Sequence, residues 1–62
     1  MVQMKLLTNE SLQTLEVFVN TVVGLKSYLL QPQESKVVPA EFITSNILKL
    51  QKRRMLSVQN YN

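Results

Sequence analysis

Residues 12–30 read Leu-Gln-Thr-Leu-Glu-Val-Phe-Val-Asn-Thr-Val-Val-Gly-Leu-Lys-Ser-Tyr-Leu-Leu, and the fold turns on whether this stretch is helix or strand. Leu15, Phe18, Val22, Leu25 and Leu29 fall at alternating steps of three and four, with Leu12 and Val19 flanking that line. This is the period of a helix with an apolar seam. The β-branched Val17, Val19, Thr21, Val22 and Val23 argue for a strand instead, because such side chains crowd the preceding helical turn. The period decides for helix. At 100° per residue the apolar arc is roughly 160° wide, more than the 100° or so that one packing face needs. Lys26 intrudes on the arc, but its stem can lie along apolar surface with the ammonium in water.

The flanks supply boundaries. Thr8 or Asn9 suits an N-cap and Glu10 the first turn, where the helix dipole favours negative charge. Pro32 forbids continuation past Leu30. The expected first helix is therefore 9–30, followed by a polar connection at 31–38. Pro39-Ala40-Glu41 starts a second helix over 39–56, since proline suits the first helical position. Ala40, Ile43, Ile47 and Leu50 form its apolar face, which ends at Arg54. Residues 1–8 are an N-terminal arm, in which Val2, Met4 and Leu6 alternate with Gln3 and Lys5 at the period of a short strand. Residues 57–62 are a polar tail.

The 62-residue chain is expected to be a single small domain, and a domain of that size buries only about 60% of the surface of its unfolded chain. It has no Cys, His or Asp, so a disulfide or metal cannot reinforce it; self-association or a larger partner is left. The same absences point away from an enzyme, because nucleophiles, general bases and metal sites draw mainly on Cys, His, Asp and Glu. No catalytic residue, cofactor, metal or small-molecule substrate is expected. Gly24 is the single glycine, too few for a phosphate-cradling loop.

Charge is unevenly placed. Lys5, Lys26 and Lys36 face Glu10, Glu16, Glu34 and Glu41 in residues 1–41, whereas residues 42–62 carry Lys49, Lys52, Arg53 and Arg54 with no acid. That cluster complements the negative end of a helix dipole, or could meet phosphates or an acidic partner. Residues 1–7 contain Lys5 and no long apolar run, so no secretory signal is expected; apolar runs stop at three residues, far short of the 20 or so of a membrane span. A cytoplasmic protein is expected, with a membrane role disfavoured. The Asn9-Glu10-Ser11 triplet matches a glycosylation acceptor, read here as chance.

The order of a possible strand and two helices resembles the ribbon-helix-helix repressors. The residues that carry the resemblance are Gln3 and Lys5 as groove-facing positions and Val2, Met4 and Leu6 as inward ones. Leu12, Leu15 and Phe18 follow on the first helix, then Glu41, Ile43, Ile47 and Leu50 on the second. The resemblance implies a dimer whose paired N-terminal strands lie in the DNA major groove. The first helix here is about twice as long as in that family, and Pro32 lies in a longer connection.

The expected fold is all-α: a two-helix hairpin that dimerises into a four-helix bundle, with the ribbon-helix-helix-like dimer as alternative. The expected function is a small non-enzymatic regulator or adaptor that binds protein, another chain or itself as a homodimer. Its interface would be Leu12, Leu15, Phe18, Val19, Val22, Leu25, Leu29, Ile43, Ile47 and Leu50. The alternative is a small dimeric DNA-binding transcriptional regulator that contacts nucleic acid through Lys49, Lys52, Arg53, Arg54, Gln3 and Lys5.

Overall fold

In the computed structural model, which describes residues 3–61, the chain is mostly strand. Its order is β1 (Met4–Asn9), β2 (Leu15–Thr21), β3 (Gly24–Leu30), β4 (Ser35–Pro39), a 3-10 turn at Ala40–Phe42, α1 (Ser45–Lys52) and β5 (Leu56–Tyr61). Strands β4, β1 and β5 form one antiparallel sheet with β1 central, and β2 and β3 form a second.

This overturns the all-α hairpin and its four-helix bundle. The expected helix over 9–30 is instead the end of β1 and the β2–β3 hairpin, and the expected helix over 39–56 is reduced to Ser45–Lys52. The ribbon-helix-helix-like alternative falls with it. A strand does form near the N-terminus, but β1 is bonded on both sides by strands of its own chain, and the element after it is the strand β2 in place of a helix. Val2 lies outside the described residues. The buried residues of β1 are Leu7 and Asn9, with Met4 and Leu6 only half-buried.

The period of two is plain once the strand is drawn. Leu15, Val17 and Val19 are buried while Glu16 and Asn20 are exposed, the alternation of a pleated strand with one covered face. Half-buried Phe18 on the opposite face breaks that alternation in the sequence. The three-four line mixes inward Leu15 with outward Phe18, Leu25 and Leu29, and Val22 lies in the connection. Helical spacing here results from folding two strands back on each other.

The turns explain why the stretch breaks where it does. Val22 and Val23 join β2 to β3, and the positive φ of the turn region falls on Gly24 at +115°, where a side chain would be strained. Pro32 opens the next turn: the Glu34 N–H donates to the Gln31 carbonyl at 2.9 Å, and Gln33 takes φ 69°.

Both sheets contribute to one core. Leu7, Val38 and Leu56 come from the three-stranded sheet, Leu15, Val17, Val19 and Leu30 from the hairpin, and Ile47 from α1. Tyr28, Phe42, Ile43, Leu50, Met55 and Val58 pack around them half-buried.

Candidate interaction surface

Each strand edge receives a different treatment. The outer edge of β2 is covered by the segment that leads into α1: Val19 bridges Ile43, the Thr44 hydroxyl donates to the Phe18 carbonyl at 2.7 Å, and the Phe18 N–H donates to Asn46 Oδ1 at 3.2 Å. Strand β4 is five residues long and carries Lys36 and Pro39, two residue types that discourage a further strand. The described part of β5 ends in the polar Gln59 and Asn60 followed by Tyr61.

Strand β3 is covered by no neighbouring segment among the described residues, and its one charged residue is the exposed Lys26. Among the described residues it pairs with β2 alone, so alternate N–H and C=O groups along its seven residues face away from the sheet. Its outward face carries Leu25 and Leu29, 65% and 64% exposed, and the connection beside it carries Val22 and Val23 at 95% and 74%. On that face Leu25 lies opposite Asn20, Ser27 opposite Phe18 and Leu29 opposite Glu16. The other face is tied down: Lys36 of β4 sits 4.3 Å from the centre of the Tyr28 ring, and the Leu30 carbonyl accepts from Asn9 Nδ2 at 2.8 Å.

The residues expected at an interface divide into three groups. Leu15, Val19 and Ile47 are core residues, and Phe18, Ile43 and Leu50 are half-buried. Leu12, Val22, Leu25 and Leu29 are exposed. Of these, Val22, Leu25 and Leu29 share the hairpin, and Val23 joins them. Val23 lies outside the expected interface; the Val-Val pair before the single glycine is the local signal for an exposed turn.

The basic residues gather elsewhere. Lys49, Lys52, Arg53 and Arg54 are exposed along α1 and just beyond it. Lys5 is half-buried, with its ammonium donating to Asn60 Oδ1, and Gln3 is exposed with its carbonyl accepting from the Ala40 N–H at 2.8 Å. The two groups belong to different strands and turns, not to one ribbon.

Among the described residues no three His, Cys, Asp or Glu side chains approach one another as metal ligands would, and no pocket is enclosed. No helix among them is long and apolar enough to cross a membrane. Comparison of the chain with protein-family models, curated proteins and solved structures finds no match.

Proposed function

We propose that the protein is a small non-enzymatic regulator or adaptor that acts by binding protein, with the β2–β3 hairpin as its contact surface. The supporting observation is the exposure of Val22 and Val23 in the connection and of Leu25 and Leu29 on β3, whose outer edge has no strand beside it among the described residues. Fully burying a side chain of this kind is worth about 1.5–3 kcal/mol, so leaving four together in water is unfavourable for a free monomer. An unpaired edge adds main-chain hydrogen bonds to any extended partner. The cytoplasm is the location this reading expects.

Photo-crosslinking tests it. A benzophenone amino acid at Val23 or Leu25 is expected to give a discrete protein adduct in a lysate of the encoding organism, lost when Leu29 is changed to Lys. The same probe at Gln51, beside the basic cluster, should give none. Adducts from Gln51 alone would move the reading to Lys49, Lys52, Arg53 and Arg54 and an anionic partner. No adduct from either position would end it.

A further inference from the structure

We propose that the β3 edge is occupied by the same edge of a second copy, the two strands pairing antiparallel about a twofold axis through Ser27. This rests on the hairpin being the protein-binding surface and names its occupant. Strand β3 spans seven residues with Ser27 at its centre. Self-pairing about that residue sets Gly24 opposite Leu30, Leu25 opposite Leu29, Lys26 opposite Tyr28 and Ser27 opposite itself. Every residue of the strand enters the ladder. Leu25 and Leu29, exposed in the single copy, each meet the other's leucine at the roughly 5 Å spacing of a cross-strand pair.

The neighbouring registers are worse for stated reasons. Centring on Lys26 places two ammonium groups directly opposite and sets Leu25 against Ser27. Centring on Tyr28 sets Leu29 against Ser27 and carries Leu25 beyond the end of the strand, against Gln31. A slip by an odd number of residues puts the apolar face of one copy beside the opposite face of the other. One register therefore satisfies length and apolar matching together and sets no two lysines of β3 directly opposite.

The self-matching of Leu25 with Leu29 about Ser27 points to a second copy as occupant, and the near-neutral hairpin does not oppose it. The chain carries +3, yet residues 15–30 contain only Glu16 and Lys26 and are neutral. In the proposed pairing the outer face reads Glu16, Leu29, Leu25, Asn20 across the four strands, with no like charges opposed; on the inner face each Lys26 comes beside the other copy's Tyr28, over which Lys36 already lies, and its long stem carries the ammonium out to water. The new sheet has the order β2-β3-β3-β2. Both of its outer edges are β2, each already covered by Ile43, Thr44 and Asn46. The pairing is isologous and this sheet closes at two copies instead of growing as a fibre.

The chain has no native cysteine, so single substitutions report cleanly. Ser27→Cys is expected to form a disulfide-linked dimer in a glutathione redox buffer at least ten-fold faster than Gln51→Cys on α1. A mixture of Leu25→Cys and Leu29→Cys chains is expected to yield the mixed disulfide several-fold over either symmetric one. Sedimentation equilibrium of the unaltered chain should show a monomer–dimer equilibrium at tens to hundreds of micromolar. The Leu25→Lys, Leu29→Lys double variant, whose exposed positions leave the core intact and whose circular dichroism should match the parent, should weaken it at least ten-fold. A chain that stays monomeric at hundreds of micromolar, or Ser27→Cys no faster than Gln51→Cys, overturns self-pairing. If hairpin probes still crosslink another protein, the binding surface stands and only its occupant is wrong; if they crosslink nothing, both readings fall.

Discussion

Asn9 is a fully buried polar side chain with each of its polar atoms engaged. Its Nδ2 donates to the Gln13 carbonyl at 2.7 Å and the Leu30 carbonyl at 2.8 Å, and its Oδ1 accepts from the Ser11 N–H and hydroxyl at 2.8 and 2.7 Å. One amide thus holds the end of β1, the loop after it and the end of β3. The Asn-x-Ser triplet that matched a glycosylation acceptor is here a side-chain-closed turn. In Asn9→Ala the Gln13 carbonyl keeps the Ser11 hydroxyl at 2.9 Å, but the Leu30 carbonyl loses a donor and the Ser11 N–H its acceptor, an orphaned buried group costing about 1–3 kcal/mol. A loss of about 3 kcal/mol is expected in urea unfolding, a large part of the few kcal/mol available to a domain this small. Asn9→Asp retains the acceptor but turns an oxygen toward two carbonyls. The fold then holds that carboxyl neutral, raising its pKa above the unfolded value, so the variant should be least impaired at acid pH and lose stability as pH rises through the carboxylate range.

At the scale of elements, the helix expected over 39–56 is confined to Ser45–Lys52, with a 3-10 turn before it and strand β5 after it. Its end is well defined: the Met55 N–H donates to the Leu50 carbonyl and the Arg54 N–H to the Gln51 carbonyl, both at 3.0 Å, with Arg54 at φ 62°. Glycine is the residue that usually takes that conformation after a helix. Arg54→Gly relieves the crowding of a side chain in the left-handed region, worth roughly 1–2 kcal/mol before the greater freedom of glycine in the unfolded chain is subtracted. A net gain of about 1 kcal/mol, or roughly 5 °C in melting temperature for a domain of this size, is expected by calorimetry. The hairpin was the larger misreading. Val17, Val19 and Thr21 carried the strand signal, but Phe18 hid the alternation and the two-residue connection lined up the leucines of β3 at helical steps.

Across the whole molecule, stability rests on a few residues shared by both sheets. Ile47 is the buried residue of α1 and completes a core otherwise supplied by strands. Ile47→Ala removes buried volume at that junction and should cost about 2–5 kcal/mol, against a total of about 3–9 kcal/mol at 0.05–0.15 kcal/mol per residue. Loss of a cooperative thermal transition, read by circular dichroism, is the expected outcome; an undiminished midpoint would mean that α1 is dispensable to the core.

The sequence by itself determined the missing cysteine, histidine and aspartate, the basic C-terminal third and the break at Pro32. It also showed an excess of apolar surface along residues 12–30. Tertiary structure decided where that excess lies. Helix and hairpin both accommodate the spacing of Leu15, Phe18, Val22, Leu25 and Leu29, so local sequence cannot choose between them. The choice is made by contacts distant in sequence: β1 pairing with Leu56–Tyr61 and with Ser35–Pro39, and Leu7, Val38 and Leu56 meeting Val17 and Val19. Those contacts bury the valines and leave Leu25 and Leu29 outside, because successive strand residues point to opposite faces and one core covers only one of them.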